Sequence, residues 1–275
     1  MKRISFIFLA MLCMLPLSAK NKIKVRETIA QNYTITAEDD WYGFHRIKFE
    51  FEGHTAWVVE PNKPGKALKG ARPWTWNMQW AEAFVDRTGA LDLLAQGWHH
   101  VTLEAYDTKA DADALKMFAD FQKFLVEKLG FEPQANLIGM SWGGFFSIRY
   151  SNAYPQNVRR IYLDAPLLCF QEWNGSDPGR VGPWASDQPA DGKWENDPRM
   201  PVNMAESIAK AGIPILLLYG GQDQTVNPKL NCERFIESFK AAGGKASVEC
   251  RGGFGHHPHG VDPDKTSTIT DFFKN

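Results

Sequence analysis

Charged residues punctuate apolar ones at every second position through Ile47, Lys48, Phe49, Glu50 and Phe51, the period of a strand with one wet face. Residues 41–51 therefore read as a half-buried strand. Glu52-Gly53 turns the chain, and residues 54–60 return as a second strand carrying Trp57, Val58 and Val59. The stretch before them, 22–40, alternates only weakly and reads as an irregular lead-in or an edge strand. Beyond a Pro/Gly/Lys-rich loop at 61–70 the period changes. Residues 71–76 form a short strand or extended turn. Residues 80–95 space Ala81, Phe84, Val85, Leu91, Leu93 and Leu94 as a helix would, with Gly97 as its stop. A strand follows at 99–103. Residues 111–129 give the clearest helix, with Leu115, Phe118, Phe121, Leu125 and Leu129 on one side and Gly130 at its end.

The alternation continues: a strand from Ala135 and a helix to about Tyr154; a strand at 158–164; a short helix at 204–211; a continuous apolar strand at 214–219; a helix at 227–242; a last strand at 246–250 and a last helix at 264–273. Strands alternating with helices imply an α/β fold, a mostly parallel twisted sheet with helices on both faces and an antiparallel hairpin at one edge. Residues 167–201 break the pattern. They are rich in Gly, Pro, Asp and Trp and lack periodicity, and so long an irregular connection reads as a lid or binding loop.

Ligands of such sheets sit at the carboxyl ends of the strands, so the residues just after each strand are the ones to inspect. The strand from Ala135 runs into Gly139-Met140-Ser141-Trp142-Gly143, a Gly-x-Ser-x-Gly sequence between strand and helix. A turn that sharp strains the serine backbone, and its glycines remove side chains that would collide with strand and helix. Ser141 is then a nucleophile exposed at a helix N-terminus, or no more than that helix's cap. Two later strand ends supply partners in order: Asp223 after Tyr219-Gly220-Gly221-Gln222, and His256 in Gly255-His256-His257-Pro258-His259. A serine hydroxyl needs a base. Imidazole takes its proton and returns it to the leaving group, and a carboxylate on the far side of the ring fixes the tautomer. Asp223 also reads as a cap for the next helix, and Asp164 is a rival acid. His257 and His259 compete with His256, with His259 better suited to bracing the pocket. No acidic or sulfur ligand is spaced around these histidines, so no metal is expected. For the oxyanion, the backbone N–H of Trp142 is one donor and Trp76 is nominated as the other. Trp74, Glu104, Trp173, His257 and His259 are candidate pocket residues, although Glu104 also reads as a helix cap.

Composition changes this picture in three ways. The formal net charge is −1, which gives no basic excess to neutralise phosphates and argues against nucleic-acid binding. Ten tryptophans, several in loops, offer flat apolar platforms that suit sugar rings among other ligands. Residues 1–19 run from Lys2-Arg3 through an apolar stretch too short to span a bilayer to Leu17-Ser18-Ala19, the pattern of a secretory signal. Export and no stable membrane insertion are therefore expected, with residues 20–275 as one domain. That leaves Cys169, Cys232 and Cys250, an odd number, with a Cys232–Cys250 bridge as one option.

These three motifs together make the chain resemble the α/β-hydrolase superfamily over roughly residues 47–273. The segment Ala71-Arg72-Pro73-Trp74-Thr75-Trp76 resembles the corresponding loop of exported bacterial serine esterases linked to polysaccharide breakdown. The resemblance implies about eight strands, a lid near 167–201 and no cofactor. It implies a carboxylic ester hydrolase working through an acyl-enzyme, on a small-molecule or polysaccharide ester such as an acylated sugar or a uronic acid methyl ester. A small peptidase of the same fold and a non-catalytic binding protein are the alternatives.

Overall fold

The computed structural model describes residues 24–63, 70–173 and 177–275, and the expected signal at 1–19 lies outside them. Among the described residues nine strands form one sheet: β1 (Ile35–Trp41), β2 (Phe44–Phe51), β3 (His54–Glu60), β4 (Trp74–Asn77), β5 (His99–Glu104), β6 (Ala135–Met140), β7 (Val158–Asp164), β8 (Ile215–Gly220) and β9 (Ala246–Arg251). Their order is β1-β2-β3-β5-β4-β6-β7-β8-β9. β1, β2, β3 and β5 pair antiparallel in succession; from β5 to β9 every pairing is parallel. Within the weakly alternating lead-in, Val25–Asn32 is an unexpected helix and only the end is the edge strand β1, which brings the count to nine rather than about eight. β1 buries only Trp41 fully, so its sequence carries almost no hydrophobic period.

The helices are α1 (Val25–Asn32), α2 (Ala90–Ala95), α3 (Ala112–Leu129), α4 (Trp142–Ala153), α5 (Pro178–Val181), α6 (Ala205–Lys210), α7 (Arg234–Ala241) and α8 (Ser267–Lys274). They cover both faces, which is why the central strands read as unbroken apolar runs. The alternation persists beneath those runs. Leu137, Leu163 and Leu217 enter the core under α1, α3, α4, α6 and α7. Ile138, Met140, Tyr162, Leu216 and Leu218 enter a smaller core under α2 and α8. Asp111 caps α3 by accepting from the Ala114 N–H at 2.9 Å, and Gly130 ends it at φ 70°. α4 is buried on nearly every side, so it is apolar all round and shows no stripe.

Residues 80–95 depart from the expected helix. Trp80, Phe84 and Gly89 have φ of 65°, 54° and 74°, left-handed conformations that a helix excludes. Only α2 is helical. The apolar residues before it fill a turn beside the end of β4, where Ala81 and Val85 pack on Trp41, Trp57 and Leu94. Cys169, Cys232 and Cys250 are all free thiols, so the Cys232–Cys250 bridge does not form. No helix among the described residues is long and apolar enough to cross a membrane.

Two neighbouring histidines of β5 titrate far from their usual range. Burial pushes the His99 imidazole down to about 3 and the His100 imidazole down to about 4. His100 is 1% exposed and its Nδ1 lies 2.8 Å from Thr75 Oγ1. Both rings are neutral in the folded chain, whereas the unfolded chain protonates them near 6.5. Their contribution is therefore complete above that pH and is lost as pH falls through the unfolded value toward 4 and 3. At pH 5 the loss is about 2 kcal/mol per ring. Urea unfolding should show the drop between pH 7 and pH 5, and a His100→Gln variant should lose about half as much over that interval.

Candidate active site

The carboxyl ends of β6, β7, β8 and β9 supply one hydrogen-bonded cluster. Ser141 lies between β6 and α4 at φ 50°, ψ −118°. Its N–H donates to Asp164 O at 3.0 Å, and its carbonyl accepts from Gly144 N at 2.9 Å and Leu167 N at 2.9 Å. A Cβ on Gly144 would stand 2.2 Å from Pro166 Cβ, and one on Gly139 would stand 2.6 Å from Ser147 Oγ. The elbow therefore closes only with glycine at both positions, and the tighter constraint comes from Gly144, just beyond the pentapeptide.

Ser141 Oγ is 3.0 Å from His256 Nε2, and His256 Nδ1 is 2.7 Å from Asp223 Oδ2. The other Asp223 oxygen accepts from the Thr225 and Val226 N–H groups, each at 2.8 Å, so Asp223 braces the turn after β8 and does not cap the next helix, which begins beyond Pro228 with no side-chain cap. Burial raises the Asp223 carboxyl, but His256 and these two N–H groups outweigh it and hold the group below its ordinary range. The His256 loop folds over the end of β8, where a Cβ on Gly220 would meet Gly255 O at 2.0 Å.

Asp164 has a different partner. It is fully buried at the end of β7 and takes His259 Nδ1 at 2.6 Å, the Gly260 N–H at 2.9 Å and the Tyr162 hydroxyl at 2.7 Å. Arg251 Nη1 donates to Gly260 O at 2.6 Å, and Arg87 Nε donates to His259 O at 3.0 Å. A second His–Asp pair thus underlies the loop that carries His256. His257 is exposed and stacks on Phe84, with ring centres 5.7 Å apart. Its pKa is lowered by what burial it has and by the imidazoles of His259 and His256.

Four nominated residues lie near this cluster or in it, and three do not. The Trp142 N–H belongs to the first turn of α4, whose leading N–H groups have no carbonyl partner within the helix. Trp173 sits edge-on to the Trp142 ring at 5.4 Å. His257 and His259 stand beside His256, with ring centres 4.9 Å away. Trp76, in contrast, is inside β4, paired with Val101 and Leu137, and its ring is buried against Phe118, Phe121 and Tyr150. It is a core residue and no oxyanion donor. Trp74 is likewise fully buried, and its Nε1 donates to Glu132 O at 2.9 Å. Glu104 accepts from Trp57 Nε1 at 2.8 Å, which ties β5 to β3. β4 starts three residues later than the expected 71–76 and ends one residue beyond it, which places the functional loop past Asn77.

That loop supplies what the sequence reading missed. The position a Cβ would occupy on Gly143 is 3.4 Å from Gln79 N, so the Gln79 N–H lies alongside the elbow. Trp80 is 41% exposed, and its ring is 4.8 Å from that of Tyr106, which meets Trp142 at 5.7 Å. Lys109 Nζ lies 3.0 Å from the Tyr106 ring centre, and burial lowers this ammonium to about 8. The described residues of segment 167–201 have little regular structure, but they are packed rather than loose. Phe170 stacks on Phe145 at 5.0 Å, Trp184 Nε1 donates to Lys109 O at 3.0 Å, and Arg149 Nη1 donates to Arg199 O at 2.7 Å. A surface cavity of about 500 Å³ lies at the other end of the sheet among Gln134, Val158, Arg160 and Pro214.

Residues 87–193 match the family model described as the alpha/beta hydrolase fold. No curated protein matches the chain. Among solved structures, similar ones include a Bacteroides ovatus protein provisionally described as a dipeptidyl aminopeptidase IV (TM-score 0.63, 12% identity, covering 84% of this chain and 35% of that one). The acylaminoacyl peptidase of Pyrococcus horikoshii gives a TM-score of 0.60 at 11% identity, over 91% of this chain and 43% of that one. A puromycin-hydrolyzing peptidase of Mycobacterium tuberculosis gives 0.59 at 16% identity, over 88% and 38%. The chain thus spans well under half the length of each. A largely parallel sheet flanked by helices, with Ser141 at the turn after β6, is the α/β-hydrolase fold, and that is the fold of this chain.

Proposed function

We propose that this chain is an exported serine hydrolase that cleaves acyl bonds through an acyl-enzyme on Ser141, with short-peptide amides as its first substrate class. The observation that carries this reading is the unbroken chain from the strained Ser141 to His256 to Asp223. In the proposed mechanism His256 Nε2 accepts the Ser141 proton as Oγ attacks the carbonyl carbon. Asp223 stabilises the imidazolium, and the Trp142 and Gln79 N–H groups face the developing oxyanion. The imidazolium then protonates the leaving nitrogen, and water, activated by the same ring, releases the acyl group and restores Ser141. The peptidase names of the structural neighbours support the amide over the sugar ester expected from sequence.

A second reading, hydrolysis of an ester on a carbohydrate, is favoured by the aromatic surface formed by Trp80, Tyr106 and Trp173 beside Trp142. Aminoacyl and dipeptidyl anilides assayed beside acetylated, feruloylated and methyl-esterified carbohydrates separate the two. Amide turnover supports the first reading, and ester turnover alone supports the second. Absence of both, together with no labelling of Ser141 by a fluorophosphonate, would overturn the hydrolase assignment.

Two substitutions test the roles. Ser141→Ala should lower kcat by about 10⁴-fold or more on whichever substrate is turned over. Asp223→Asn should lower it about 10³- to 10⁴-fold with little change in melting temperature, because the amide keeps one acceptor for the Thr225 and Val226 N–H groups. Asp164→Asn should do the reverse, melting earlier while losing less activity than Asp223→Asn. Equal kinetic losses at the two positions would reassign the acid.

A further inference from the structure

The mechanism uses one histidine of the loop after β9, yet the loop presents three. The ring centres of His256, His257 and His259 form a triangle with every side 4.9 Å, and the ring planes cross at 73°, 82° and 87°. One ring nitrogen of each lies within 4.8 Å of one from each of the others. Two of these rings are held as metal ligands usually are. A buried carboxylate on one nitrogen fixes the tautomer and leaves the other nitrogen as a lone-pair donor. Asp223 does this for His256 at 2.7 Å, and Asp164 does it for His259 at 2.6 Å. Acyl transfer requires only the first pair. The third ring, His257, is exposed at the rim.

We propose that His256, His257 and His259 form a capture site for a borderline divalent cation such as Zn²⁺, and that its occupation switches Ser141 off. In a tetrahedral site of three imidazoles with metal–nitrogen bonds of about 2.0 Å, ring centres stand about 5 Å apart. The observed spacing meets that requirement, and a turn of the exposed His257 ring brings its nitrogen inward. Three neutral nitrogen donors suit Zn²⁺, Cu²⁺ or Ni²⁺ and not the oxygen-seeking Mg²⁺ or Ca²⁺. The switch is an exchange of one lone pair. The cation takes the His256 Nε2 pair that otherwise accepts from Ser141 Oγ at 3.0 Å, the proton stays on Ser141, and the hydroxyl has no base. No covalent bond changes, so removing the ion restores the site. Binding stands apart from the proposed activity; only the inhibition rests on it.

Calorimetric titration of the Ser141→Ala protein with Zn²⁺ reads binding without turnover. One ion per chain is expected, with affinity lowered at least 10-fold by His257→Asn and by His259→Asn, and no binding of Mg²⁺. Should His259→Asn fail to fold, His257→Asn, which changes an exposed ring, carries the test. In the wild-type chain Zn²⁺ should slow fluorophosphonate labelling of Ser141 at least 10-fold, and EDTA should restore it. No binding, or equal affinity in the histidine variants, overturns the site. Unchanged labelling at saturating Zn²⁺ overturns the switch. Failure of labelling without Zn²⁺ counts against the hydrolase reading, while the calorimetry still decides the site.

Discussion

The backbone of Ser141 is held where a side-chain-bearing residue is rarely found, at φ 50° and ψ −118°, a conformation worth about 1–3 kcal/mol of strain. Such a turn persists only if its surroundings over-determine it. Here the restraint is distributed over two strands and a helix. The Ser141 N–H is taken by Asp164 O of the adjacent strand, and its carbonyl is taken by both Gly144 and Leu167. The chain leaving β7 therefore pins the elbow from one side while α4, buried along most of its length, pins it from below. The Pro166 ring against Gly144 fixes the distance between them.

Asp164 links this restraint to the second half of the site. Its backbone carbonyl holds the nucleophile turn, and its carboxylate holds His259, Gly260 and Tyr162. A buried carboxylate is costly unless its lone pairs are used, and these are. Arg251 and Arg87 then secure the carbonyls of the same loop from the side of β9 and from the turn before α2. Ser141 and His256 are 115 residues apart in the chain, yet each is positioned through the end of β7. A rigid geometry of this kind is what electrostatic catalysis asks of a site, since donors and acceptors must be in place before charge develops.

The fold was legible because its signals are local. Strand ends, the glycine after α3 and the Gly-x-Ser-x-Gly turn each depend on a few adjacent residues. The order Ser141, Asp223, His256 also follows from position at successive strand ends. What escaped depends on which way a side chain faces. Trp74 and Trp76 alternate with polar Thr75 as a wet-faced strand would, yet β4 lies inside a sheet covered on both sides, so both rings enter the core and Thr75 bonds His100. Their indoles looked like a binding platform only because sequence does not show where β4 ends. The same uncertainty hid Gln79. Helix 80–95 fails for a related reason: Trp80 and Phe84 have ordinary helical spacing, yet both take left-handed backbone where their rings meet Tyr106 and the His257–His259 loop. From sequence Asp164 and Asp223 are alternatives for one role, whereas the structure gives each its own histidine.

Segment 167–201 shows how aromatic content divides between packing and function. Phe170, Trp184 and Trp194 are buried against one another and against Phe145, and Arg149 lies 4.6 Å over the Trp184 ring. These rings hold the segment to α4 with only short helical turns of its own, a role that large flat side chains fill with little loss of rotamer entropy. Trp173, at the margin of the cluster, is only partly buried and meets Trp142 directly after the nucleophile. The stacking that fixes the segment thus runs without interruption into the surface beside Ser141. The inner rings are thereby joined to the mouth by an unbroken set of contacts, with ring centres 5.2–6.1 Å apart.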